Sequence, residues 1–193
     1  MDAVLELIWT CSYGSTTIDQ ICDKAQVRKG SFYYYFDSKA DLAAAAMEAQ
    51  WEILRPQYDS MFSPTVAPLQ RLRNYFELGY RFQRENKEKY GCVLGCPLFS
   101  LGAEISTQEH GLQKKVQEIL AYKLKYLESA IRDAHAAGLV EAPDAASKAR
   151  MILTYYEGLL TQARIQNDVE VLKEASEGAF AMLGLKTGTA AVA

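Results

Sequence analysis

The strongest constraint on the fold is a three-and-four spacing of apolar positions, as in Leu112, Val116, Ile119, Leu120, Lys123, Leu124 and Leu127. That spacing gives an α-helix one dry face, and strand-like alternation is nearly absent, so the chain is expected to be all-α. Breaker clusters at 12–15, 26–30, 37–38, 62–68, 91–97, 108–111, 138–143 and 167–168 divide it into about nine helices. Three short ones lie near 2–11, 17–24 and 28–34. Long ones follow near 38–61, 66–89, 112–137, 144–166 and 168–183. A small three-helix head on a long-helix body implies two functional parts, with boundaries placed at 1–45, 46–186 and a frayed tail at 187–193.

A hydrophobic fraction of 49% over 193 residues supports a sizeable core and excludes a disordered chain. No apolar run approaches the ~20 residues of a bilayer span, and the first residues have neither the basic start nor the apolar block of a signal peptide. A cytoplasmic protein without a membrane partner is therefore expected. Cys11, Cys22, Cys92 and Cys96 lack the paired spacings of zinc ligands and read as reduced thiols. His110 beside Glu109 has no second ligand at helical spacing, so no metal or cofactor is expected. Neither a Ser/His/Asp nor a Cys/His constellation has interpretable spacing, which argues against an enzyme.

In the head, Thr17 can accept a free N–H at a helix start, with Gln20 three residues on as in a capping box. Ile18, Ile21, Cys22 and Ala25 form one expected buried stripe, Val27, Phe32 and Phe36 a second, and Val4, Leu5, Ile8 and Trp9 a third. A turn at Gln26-Val27 then leaves Arg28, Lys29, Ser31, Tyr33 and Tyr34 facing away from the core. Cations and hydroxyls of this kind suit phosphates and base edges, and Gly30 permits close approach to a sugar–phosphate chain.

The run from Thr16 through Gly30-Ser31-Phe32-Tyr33-Tyr34-Tyr35-Phe36-Asp37-Ser38-Lys39 to Leu42 resembles the signature of the TetR family of transcriptional regulators. The resemblance implies that Thr16 and Thr17 open a helix that clamps the DNA backbone. It also implies that Arg28 to Tyr34 form the recognition helix and that Lys39 holds phosphate at the start of the fourth helix. Lys29, Ser31 and Tyr33, with Tyr34 beside them, are the implied contacts to double-stranded operator DNA. Two departures stand out. Ser12 occupies the place of a usual glycine at the end of the first helix, and the basic arm that often precedes that helix is absent, which would fit a longer gene product. The head is also mildly acidic: Lys24, Arg28, Lys29 and Lys39 face Asp2, Glu6, Asp19, Asp23, Asp37 and Asp41. A protein-binding head therefore stays open as the rival to a DNA reader.

The body is rich in aromatic side chains, of which Phe99, Tyr122, Tyr126 and Tyr155 are candidate effector-pocket residues. Within Tyr90-Gly91-Cys92-Val93-Leu94-Gly95-Cys96-Pro97, the proline suits a first helical turn and puts Cys96 at its N-cap, where thiolate is favoured. The segment resembles a Gly-Cys-Pro element found in a TetR subgroup, some of whose members sense electrophiles or small unsaturated acids. Cys92 and Cys96 are accordingly candidate thiol sensors, and a disulfide between them stays open. Ile152, Tyr156, Leu159, Leu160, Ala163, Leu172, Ala179 and Leu183 give the last two helices more apolar surface than a monomer edge should show, and are expected to form half of a four-helix homodimer interface. The function expected from the resemblance is that of a repressor released from a palindromic operator by a small-molecule effector.

Overall fold

The computed structural model describes residues 1–105 and 109–185, so the tail expected at 187–193 lies outside the described residues. Among the described residues there are nine α-helices and no strand: α1 Asp2–Thr10, α2 Ile18–Ala25, α3 Lys29–Tyr35, α4 Lys39–Met61, α5 Pro68–Tyr90, α6 Pro97–Glu104, α7 His110–Ala136, α8 Ala145–Gln166 and α9 Ala175–Met182. None of them is long and apolar enough to cross a membrane.

Helix ends follow local chemistry. Thr17 caps α2 by accepting from Gln20 N–H at 3.2 Å while the Gln20 side chain accepts from Thr17 N–H at 2.8 Å, closing the capping box. Pro68 sits in the first turn of α5, and Gly91, at φ +75°, ends it in the left-handed conformation that glycine adopts without strain. Asp144 caps α8 through Ser147 N–H at 2.9 Å. The single helix expected over 168–183 is divided. Asp168 accepts from Glu170 N–H and tightens Val169–Leu172 into a 3-10 turn before α9 begins at Ala175.

The chain forms two units, one of Met1–Arg55 with Pro97–Ala121 and one of Pro56–Cys96 with Tyr122–Ala193. In the first, Val4, Ile8, Ile21, Cys22 and Phe32 are buried together with Leu42, Ala43, Ala46 and Met47 of α4, and α6 packs against α1. Two expected core residues fall outside. Val27 is 47% exposed and Ala25 lies at the surface, because Gln26 takes a left-handed turn (φ 54°) that carries the chain off the core. Val27 N–H then bonds Cys22 O at 3.0 Å and Gln26 N–H bonds Asp23 O at 3.1 Å, closing α2 without a glycine. Ser12 needs no left-handed backbone either. Cys11 ends α1 at φ −110°, and Ser12 O accepts both the N–H and the hydroxyl of Thr16.

In the second unit, Leu72, Tyr75 and Phe76 of α5, Leu127 and Ile131 of α7, Ile152 of α8 and Phe180 of α9 share one core. Arg71, 3% exposed, donates to Val66 O at 2.7 Å and to the Asp133 carboxylate at 2.6 Å, so its buried charge is paired.

Candidate functional site

The face of α3 turned from the head core carries Arg28, Lys29, Gly30, Ser31, Tyr33 and Tyr34, all exposed, with Tyr34 80% accessible. A Cβ added at Gly30 would meet nothing within 4 Å, so no packing inside the protein requires glycine there. Lys29 Nζ pairs with the Asp19 carboxylate of α2 at 2.7 Å, and that hydrogen bond holds its ammonium above the usual lysine value. Tyr35, absent from the sequence-based set, is 73% exposed and meets Tyr34 edge to face at 4.8 Å between ring centres.

Three other head residues hold the frame. Thr17 caps α2. Thr16, 2% exposed, spends its hydroxyl on Ser12 O at 2.6 Å. Lys39 Nζ donates to Tyr13 O at 2.7 Å and Thr16 O at 2.8 Å and lies 4.2 Å from the centre of the Tyr13 ring, which ties the loop before α2 to the start of α4. The resemblance gave Thr16 and Lys39 to DNA, whereas burial and these bonds direct both polar groups inward. Tyr13, missed from sequence, is the pivot of this corner: it is buried and donates to Glu109 at 2.7 Å, and burial with that carboxylate keeps its phenol protonated well above the ordinary range.

Within the second unit, side chains from the end of α4 and from α5, α7 and α8 meet, with Cys96, in a polar centre. Tyr58 meets Tyr126 at 5.5 Å and Tyr75 at 6.3 Å between ring centres, and Tyr156 meets Tyr75 at 5.3 Å and Phe76 at 5.1 Å. Lys123 of α7 is hydrogen-bonded to Tyr58, and Glu157 of α8, 4% exposed, is hydrogen-bonded to Cys96. Burial raises the Glu157 carboxyl above its usual range, an effect that the Lys123 charge and the Cys96 contact only partly offset. Burial also works against the Lys123 ammonium, but the oxygens and sulfur of Tyr58, Cys96 and Glu157 outweigh it and hold it above the usual lysine value. Tyr58, Tyr75 and Tyr156 are all pushed upward by burial and stay neutral.

Tyr156 Oη is buried without a hydrogen-bond partner. Of the pocket candidates, Cys96 and Tyr126 belong to this cluster. Phe99 lies in the other unit, Tyr122 is 39% exposed, and the Tyr155 hydroxyl rests over Gly178 of α9. Cys92 is half-buried, five residues ahead of the start of α6, and all four cysteines are free thiols.

Lys123, counted only as a position of the helical stripe, and Glu157 were not among the candidate site residues, yet a signal existed. Both interrupt apolar stripes, Lys123 between Leu120 and Leu127 and Glu157 between Leu153 and Leu160, and a charge at a dry position must be paired or used.

The segment leading to Cys96 is strapped by side-chain amides. Gln83, 2% exposed, accepts from Leu94 N–H (3.2 Å) and Gly95 N–H (3.0 Å) and donates to Gly95 O (2.9 Å). Asn167, left-handed at φ 51°, accepts from Val93 N–H (2.9 Å) and donates to Gly91 O (3.2 Å).

The expected dimer residues need correction. Ile152, Tyr156, Leu160, Ala163, Leu172, Ala179 and Leu183 are all buried by their own chain, at 5% exposure or less, and only Leu159 is half-exposed. The reason is helical rotation: these positions point to the core shared with α5, leaving Met151, Leu159, Gln162 and Ile165 along the outward stripe of α8, with Ile165 79% exposed.

Residues 1–46 match the family described as bacterial regulatory proteins, tetR family, and residues 68–179 match the tetracyclin repressor-like C-terminal domain. The chain is 32% identical over 168 residues to the transcriptional regulator AcuR of Cereibacter sphaeroides, covering 85% of this chain and 74% of that protein. It is 24% identical over 166 residues to the HTH-type transcriptional repressor DhaR of Mycobacterium sp. strain GP1, covering 84% and 79%. The crystal structure of a regulatory protein TetR from Rhodobacter sphaeroides superposes with a TM-score of 0.80 at 27% identity, covering 94% and 95% of the two chains. The reduced form of Escherichia coli NemR gives a TM-score of 0.79 at 19% identity, covering 96% and 97%.

Proposed function

The chain belongs to the tetR family of bacterial regulatory proteins, and from that premise we propose a cytoplasmic, homodimeric repressor that leaves a palindromic operator when a small molecule binds its body. It is a DNA-binding transcriptional regulator with a helix-turn-helix and a ligand-binding domain, not an enzyme. Residues 1–45 read the DNA, while the remainder takes the effector and dimerises.

The observation that carries this reading is the exposed face of α3. Arg28, Lys29, Ser31, Tyr33 and Tyr34 offer charge and hydroxyls, and Gly30 is left bare although nothing inside the protein requires it. Thr16, Thr17 and Lys39 act on the DNA indirectly, by fixing α2 and the loop before it. The effector seat is the cluster of Tyr58, Cys96, Lys123, Tyr126, Tyr156 and Glu157, where a thiol, an ammonium and a carboxyl group lie among aromatic rings. Cys96, held against Glu157, is the thiol placed to sense a reactive effector, with Cys92 outside the cluster. The outward stripe of α8 through Met151, Leu159 and Ile165 is the dimer face, since a palindrome needs two heads about one helical turn apart.

The deciding experiment is selection of bound duplexes from a random pool by the purified protein at two salt concentrations. A palindromic motif is expected. Absence of any enrichment would transfer the head to the protein-binding reading that its acidic balance keeps open.

A further inference from the structure

Tyr156 presents a problem that packing does not solve. Its ring is fully used, stacked edge-on against Tyr75 and Phe76, and phenylalanine would fill that role equally well. Its hydroxyl is buried without a partner and wedged against the backbone of α5 at Gly79, the place where any other residue would put its Cβ. A buried donor without an acceptor is costly, and natural chains keep few of them. The groups near this oxygen are Glu157, Tyr58 and Cys96. Lys123, bonded to Tyr58, completes the same centre.

We propose that the Lys123–Glu157 centre binds a small, uncharged molecule carrying a carbonyl oxygen, and that this oxygen accepts the hydrogen bond for which Tyr156 Oη has no partner. The proposal rests on the reading of this cluster as the effector seat and specifies the chemistry of its occupant. Charge balance carries the first half. The half-buried Lys123 ammonium and the buried Glu157 carboxyl act on each other through charge, and each already has a neighbour, Tyr58 for Lys123 and Cys96 for Glu157. An anion brought here meets Glu157 and a cation meets Lys123, and either adds a net charge where water cannot screen it. The orphan hydroxyl carries the second half, because a phenol that stays protonated offers a donor, and a carbonyl oxygen is the matching acceptor. The rings of Tyr58, Tyr75, Phe76 and Tyr126 favour a flat, unsaturated body on the carbonyl.

Benzamide, benzoate and benzylammonium share one ring and differ in charge. Calorimetric titration of the full-length protein with each, in parallel with operator binding followed by fluorescence anisotropy, tests the proposal. Benzamide is expected to bind at least about tenfold more tightly than either charged probe. Tyr156→Phe is expected to lower benzamide affinity by roughly tenfold. The proposal is overturned by preference for a charged probe, by benzamide binding that is indifferent to the loss of the hydroxyl, or by no benzamide binding at millimolar concentration. Benzamide bound at Tyr156 without any change at the operator would keep the ligand class and remove the effector reading. Release of the operator by other small molecules, with benzamide refused, would do the reverse.

Discussion

The phenol oxygen of Tyr156 lies 1.6 Å from where a Cβ on Gly79 would stand, so the two residues define one another. Alanine at position 79 is expected to destabilise the chain by about 1–3 kcal/mol through overpacking, despite its better helix propensity. Combining it with Tyr156→Phe removes the colliding oxygen, although the ring carbon that carried it remains at 2.8 Å. Urea unfolding should therefore show partial rescue. Strictly additive losses would mean that the contact does not set the glycine requirement.

Gly30→Ala is expected to separate stability from function. The helix gains about 0.5–1 kcal/mol because glycine is a poor helix former and the new methyl group meets nothing inside the protein. Operator affinity should fall by roughly tenfold, since the methyl group stands where the DNA backbone approaches. Anisotropy titration beside thermal unfolding checks both signs, and an unchanged affinity would show that α3 does not approach DNA at this point.

Asp19 holds Lys29 at 2.7 Å on an exposed surface and competes with phosphate for it. Asp19→Asn is expected to tighten operator binding several-fold at low salt and to steepen the dependence of log K on log salt by roughly one per head. Lys29→Ala should weaken binding without altering the oligomeric state seen by light scattering. Equal salt slopes for the wild type and Asp19→Asn would place Lys29 away from the phosphates.

Glu157 gives the fold a pH dependence of defined sign. Its carboxyl is held above the ordinary range, chiefly by burial, so the folded chain keeps this proton longer than the unfolded chain does. The linked stability is complete below the usual carboxylate range and is lost as pH rises through the folded-state value. As pH rises above the usual carboxylate range, the unfolding midpoint of the wild type should fall more steeply than that of Glu157→Gln. Parallel curves would mean that the carboxyl titrates alike in both states.

Much of this architecture is legible in the residues themselves. Thr17 with Gln20, Pro68, Pro97 and the left-handed Gly91 mark helix ends by capping rules that act within a few residues. The division between the 3-10 turn and α9 carried no such mark, because neither Lys173 nor Glu174 is a breaker, so 168–183 read as a single helix. At the candidate sites, the exposed set on α3 follows from a short amphipathic pattern. The roles of Tyr155 and Tyr156 do not, since neighbouring residues on a helix point about 100° apart and both are aromatic. Their directions are decided by which glycine each hydroxyl can lie over, Gly178 on α9 or Gly79 on α5, and that is fixed by helices distant in sequence. Lys39 misled for a related reason: a lysine at the start of α4 suits phosphate, and only the fold reveals the two carbonyls that hold it.

The amide straps on the segment ahead of Cys96 bear on how the body can respond. Residues 91–95 have no sheet partner, yet Gln83 and Asn167 complete their main-chain bonding much as a neighbouring strand would. Both Leu94 N–H and Gly95 N–H depend on one oxygen, Gln83 Oε1, and Asn167 is itself anchored by Lys87 Nζ on its carbonyl at 2.6 Å. Displacing Cys96 therefore cannot proceed by small graded shifts. The segment therefore keeps its borrowed partners or releases several together, because Leu94 N–H and Gly95 N–H share one acceptor.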